Sequence, residues 1–169
     1  MDADYLHLIV NHIPIFSMLF GLLILGWGLF KHNLPIQQMA LVLFLLAAVS
    51  SYIALETGEA AEDIVEELGV ASSQVIHDHE EAAEIAFWFS VVTGLLSLAG
   101  LFALSHNLRW KNTLLSILAI AAILSLGTLL FTAYQGGKIY HGDAAAQGTV
   151  EQFNNNQADI AELALSYYS

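Results

Sequence analysis

The chain has no cysteine. It therefore forms no disulfide, offers no thiolate to a metal or iron-sulfur cluster, and cannot attach haem covalently through Cys-x-x-Cys-His. Any haem would have to be held non-covalently. Basic residues are almost as scarce: four Lys and Arg stand against sixteen Asp and Glu, a formal net charge of -12. So acidic a chain is a poor partner for nucleic acid, whose binding is dominated by phosphate neutralisation. No glycine-rich nucleotide loop and no nucleophile elbow occurs. The start, Met1-Asp-Ala-Asp-Tyr5, also lacks the basic n-region of a secretory signal, so the first apolar run is expected to stay in the mature protein.

What is present is apolar surface. Across 169 residues, 57% are hydrophobic and the mean hydropathy is +0.64, too much for a soluble domain of this length. Four apolar runs, near Leu8 to Phe30, Pro35 to Leu55, Ala82 to Leu104 and Leu114 to Tyr134, each reach the roughly 20 residues that cross a bilayer as a helix. The short connections after the first and third runs carry Lys31, Arg109 and Lys111, which the positive-inside rule assigns to the cytoplasm. Both termini and the Thr57 to Val75 connection then lie outside. All sixteen acidic residues fall in those outer segments or at outer helix ends, together with His7, His12, His77, His79 and His141. The expected chemistry is at the extracytoplasmic face.

The densest cluster is Val75-Ile-His-Asp-His-Glu-Glu-Ala-Ala-Glu-Ile-Ala-Phe87, where two histidines and four acidic residues share eight positions at the mouth of an apolar run. Ionisable groups so close to lipid are costly and usually serve a function. At about 100° per residue, His77, Glu80, Glu81 and Glu84 share one helix face, while His79 lies with Ala82, Ala83 and Ala86. The first face resembles a polar or metal-binding edge; the second sets an imidazole beside small side chains that leave room for something flat. Alternatively the helix starts at Asp78, with Asp78 and Glu81 as a capping box and the carboxylates complementing the positive helix end.

Elsewhere the pattern is sparser. His7 and His12 lie about 140° apart round an ideal helix, so they are not expected to ligate one ion together. His7 is expected to be a solvated terminal residue; His12, one turn deeper and followed by Pro14, is expected to have a partnered role. In the second run, Ala40, Ala47 and Ala54 form a small-residue row beside Ala48, Ser51 and Gly58, as close helix packing requires. Beyond it, Ile64, Val65 and Leu68 against Glu62, Glu66 and Glu67 predict a short amphipathic lid ended by Gly69. Gly136-Gly137 permits a left-handed cap and a close backbone approach, returning His141 to the outer mouth. The expected architecture is an all-α integral membrane four-helix bundle over residues 1–145, with a lid over its outer mouth and a polar extracytoplasmic tail over 146–169.

Four motifs, His7-x4-His12-Ile-Pro-Ile15, Leu55-Glu-Thr-Gly-Glu-Ala-Ala61, His77-Asp-His-Glu80 and Gly136-Gly-Lys-Ile-Tyr-His-Gly142, occur in order at the outer helix ends. In this the first 145 or so residues resemble the bacterial four-span membrane family labelled domain of unknown function 2231. Leu8 and Ile13 replace the family's proline and phenylalanine. The resemblance implies a bacterial inner-membrane location and electron transfer at the outer face, alongside Rieske or cytochrome c modules. Its implied ligands are His12, His79 or His77, and His141.

Three functions follow as expectations. The first is a membrane b-type cytochrome, an electron carrier whose haem b is held by His12 and His79, with His141 and His77 as substitutes or a second site. The second is a zinc or di-iron protein using His77, His141, Glu56, Glu59, Glu81 and Glu84, although the Glu-x-x-His pairs of di-iron bundles are missing. The third is an accessory subunit of a larger membrane complex.

Overall fold

The computed structural model describes the backbone of residues 3–67 and 72–167, and side chains within 7–61 and 72–139. Five helices account for it: α1 (Ala3–Val10), α2 (His12–Phe30), α3 (Leu34–Glu67), α4 (Ser73–Ser105) and α5 (Lys111–Tyr167). No strand occurs among the described residues. Helices α1 and α2 follow one another with a break at Asn11, next to Pro14, whose missing N–H leaves the Val10 carbonyl without its helical donor. Among the described residues, four stretches are long and apolar enough to cross a membrane: His7–Phe30, Leu34–Ala61, Ser73–Ser105 and Lys111–Ile139. The chain is a multi-pass membrane protein.

Helix α2 packs on α3, α3 on α4, α4 on α5, and α5 returns to α2, which closes the bundle; α1 lies against α3. The burial pattern is that of a protein whose outer solvent is lipid. Phe16, Leu23, Trp27, Trp88, Leu95, Ile120 and Phe131 are exposed, whereas Ser90, Thr93, Ser97 and Ser125 are fully buried. Lipid tails are as apolar as leucine, so helices associate here through close packing and interhelical hydrogen bonds. Ala40 and Ala47 of the expected small-residue row are fully buried, and Ala48 beside them meets a glycine of α4. A Cβ on Gly94 would stand 2.7 Å from the Ala48 Cβ, one on Gly21 2.6 Å from the Phe44 ring, and one on Gly100 2.6 Å from Leu41. Ser90 and Ser125 share a hydrogen bond at 3.0 Å between α4 and α5.

The two tight turns at the basic end are alike. His32-Asn33-Leu34 follows α2 and His106-Asn107-Leu108 follows α4. Each has one residue in the left-handed region, His32 or Asn107, both with φ near 50°. Each also returns a backbone N–H into the preceding helix, Asn33 to the Gly28 carbonyl and Leu108 to the Ala103 carbonyl. The chain is two helical hairpins side by side.

Three expectations change. Helix α4 starts at Ser73 with Ser72 as its N-cap residue, so Asp78 is inside the helix and the capping box does not form; Asp78 instead accepts from the Gln74 side chain at 2.7 Å. The piece from Thr57 to Glu67 is the end of α3 and not a separate helix. Glu59, Ala60, Ala61 and Glu62 are strong helix formers, and Gly58 alone costs only about 1 kcal/mol of helix propensity. Residues 68–71, with Gly69, lie outside the described residues. Likewise α5 runs through Gly136-Gly137, neither in the left-handed region, and on past residue 145. The expected helix end there is absent.

Candidate functional site

At the end of the bundle away from the basic turns, a cavity of about 400 Å³ opens between the hairpins, with His7, Asn11, His79, Ala83, Ala86 and Gly136 among its lining residues. Its size falls in the usual range of ligand pockets, about 300–1,000 Å³.

His79 comes from α4. Its phase on the helix places it with the buried Ala82 and Ala86 and the half-buried Ala83, as the sequence periodicity predicted. Its Nδ1 lies 3.1 Å from the Thr132 carbonyl on α5. Thr132 ties the same two helices together a second time, its hydroxyl donating to the Ala82 carbonyl at 2.8 Å. His7 comes from α1 and is half-buried. Its Nδ1 lies 3.0 Å from the Ala54 carbonyl on α3 and 3.3 Å from Thr57 Oγ1.

These contacts determine the tautomer. A carbonyl oxygen can only accept, so Nδ1 must carry the proton in each ring, and in the neutral imidazole Nε2 then holds a bare lone pair. Neither Nε2 has a hydrogen-bond partner within the described residues. The Asn11 side-chain oxygen, also at the cavity, is buried without a partner. The polar groups here thus present lone pairs, and among the described residues no Asp, Glu, Lys or Arg side chain lines the cavity. Such a site suits a Lewis acid among apolar side chains. Metal-ligating histidines commonly donate the other ring N–H to a carbonyl, which orients the ring and raises its basicity.

The remaining candidates are dispersed. His12 lines the same cavity but is exposed, its ring stacked on Phe16 at 6.5 Å between centroids. His77 is on the other side of α4, its side chain 61% exposed, with Glu80 at 3.5 Å and Glu81 at 3.7 Å. Glu56, Glu59, Glu81 and Glu84 are exposed and outside the cavity lining. The side chain of His141 lies outside the described residues. Among the described residues, no three His, Cys, Asp or Glu side chains converge as a metal-binding group.

His7 is the residue that sequence reasoning misplaced. It is not a solvated terminal residue, because α1 packs against α3 and brings the ring to the Ala54 carbonyl. A signal was available in the two His-Asn-Leu turns, although the tripeptides stand one residue out of register, His32 matching Asn107 in conformation. If the hairpins are equivalent, a histidine near the start of the second implies one near the start of the first, and His7 is its counterpart.

Fold and site together define a four-span membrane protein with a paired-histidine cavity at its acidic end. No family model matches the chain, and searches of curated proteins and of solved structures found no match.

Proposed function

We propose that this chain is a membrane b-type haem protein that carries electrons, with His79 and His7 as the residues that would hold the haem. The observation that supports this reading is the pair itself: two imidazoles from opposite hairpins, each tied through Nδ1–H to a backbone carbonyl and lining one cavity, with no hydrogen-bond partner at Nε2 among the described residues. The donor set fits the group. Haem iron takes two neutral imidazoles, helix bundles commonly hold cofactors between facing helices, and the small side chains of Ala83 and Ala86 line the cavity. Of the two histidines on the first hairpin, His7 has the held ring and His12 the exposed one, which favours His7.

Bound haem would supply a one-electron iron couple. The protein's own part is to orient the imidazoles and surround the site with apolar side chains. The carboxylates at this end, exposed Glu56, Glu59, Glu81 and Glu84 and half-buried Glu80, would favour the more positive oxidised iron and so lower its potential. In this reading the acidic end is extracytoplasmic and both termini lie outside the bacterial inner membrane. A c-type cytochrome or Rieske partner, or a larger membrane complex, would meet that face. The chain would share this arrangement with the domain of unknown function 2231 family.

Purified protein reconstituted with hemin and read by absorption tests the proposal. The expected result is a Soret band with the sharp reduced bands of low-spin, six-coordinate haem. His79→Ala and His7→Ala should each lose the low-spin signature, while His12→Ala keeps it. Failure of the wild-type protein to take up hemin would overturn the reading; loss on His12→Ala with retention on His7→Ala would reassign the ligand to His12.

A further inference from the structure

We infer that Gly58 and Gly136 are positioning residues for His7 and His79, and that the cavity is one histidine-orienting device built twice, once in each hairpin. In the first hairpin His7 donates to the Ala54 carbonyl, and the residue four positions on, Gly58, faces the ring. In the second His79 donates to the Thr132 carbonyl, and the residue four positions on, Gly136, faces the ring. Four residues is about one helical turn, so acceptor and glycine lie on the same stripe of their helix. The imidazole rests across that stripe, its Nδ1 on the carbonyl and its Cε1 over the glycine.

The space at the glycines is specific. A Cβ on Gly58 would lie 3.1 Å from His7 Cε1 and 3.4 Å from Nδ1. On Gly136 it would lie 3.0 Å from His79 Cε1, 3.4 Å from Nδ1 and 3.5 Å from Nε2. Carbon pairs are most comfortable at about 3.5–4.0 Å, so either methyl pushes the ring away from the stripe. The ring can swing about its side-chain torsions, but swinging takes Nδ1 off its carbonyl. The hydrogen bond that selects the Nδ1–H tautomer, and leaves Nε2 bare, is lost with it. Not every glycine behaves this way: Gly26, also in a membrane-spanning helix, has nothing within 4 Å of its would-be Cβ.

The inference rests on the haem reading for its purpose and not for its test. Apo protein labelled with ¹⁵N-histidine, with signals assigned by single His→Gln variants, reports each tautomer without any cofactor. Wild type should show His7 and His79 as Nδ1–H. Gly58→Ala should lower the Nδ1–H to Nε2–H ratio of His7 alone, and Gly136→Ala that of His79 alone, each by roughly 2- to 13-fold, the equilibrium worth of one ordinary hydrogen bond. Gly26→Ala should alter neither. If a glycine variant does not fold, its stability with the histidine removed decides: Gly58→Ala should be harmless in a His7→Ala background, and Gly136→Ala in a His79→Ala background. Rings unmoved by their own glycine variant, or a folding defect that persists without the histidine, would overturn the inference. Tautomers that respond in a protein unable to bind hemin would sink the haem reading and keep the positioning role. Hemin binding with unresponsive tautomers would do the reverse.

Discussion

Gly94→Ala tests how tightly α3 and α4 are locked together. The new Cβ would lie 2.7 Å from the Ala48 Cβ, against about 3.5–4.0 Å for comfortable carbon contacts. Neither atom is the end of a flexible side chain, so relief requires the two helices to part by about 1 Å. Overpacking of this kind costs about 1–3 kcal/mol, and replacing a helical glycine by alanine returns about 0.5–1 kcal/mol. The net expectation is a loss of about 0–2.5 kcal/mol. Ala48→Gly in the same chain removes the opposing methyl and should restore most of that loss, giving a coupling of about 1–3 kcal/mol in a double-mutant cycle. Reversible unfolding in mixed detergent micelles with increasing dodecyl sulfate measures all four proteins. A single variant clearly more stable than wild type, or a cycle in which the two substitutions are additive, would refute the packing argument. The consequence reaches the cavity, because α3 carries Ala54 and Gly58 while α4 carries His79.

Other interactions give further expectations. Thr132→Val removes the hydroxyl that donates to the Ala82 carbonyl but keeps the Thr132 carbonyl that holds His79; it should cost about 0.6–1.7 kcal/mol in the same unfolding assay and leave the His79 tautomer unchanged by ¹⁵N NMR. Ser90→Ala and Ser125→Ala break one shared hydrogen bond, so their double-mutant cycle should show coupling near 0.6 kcal/mol, and strict additivity would contradict the contact. His77→Ala removes only exposed pairings to Glu80 and Glu81. Its unfolding midpoint should stay within about 0.5 kcal/mol of wild type, and a larger loss would mean that His77 has a buried role.

The sequence by itself determined what depends on local periodicity. Run length and hydropathy gave the four spans, and the 3.6-residue repeat put His79 with Ala82, Ala83 and Ala86 and turned His77 away with Glu80 and Glu81. Of the small residues noted in the second run, Ala48 and Gly58 meet Gly94 and His7 closely, whereas Gly21 and Gly100 pack on Phe44 and Leu41. Tertiary structure alone decided what depends on another helix. Whether His7 is solvated or held turns on the Ala54 carbonyl 47 residues away, and the tautomer of His79 on the Thr132 carbonyl 53 residues away. Gly136 was legible as a place of close approach, but as a helix end with a left-handed residue. Only the packed hairpin shows that the helix continues and that an imidazole occupies the space left by the missing side chain. A glycine is locally the same in both cases, because its lack of a Cβ permits a turn and a neighbour equally, and only the neighbour's position distinguishes them.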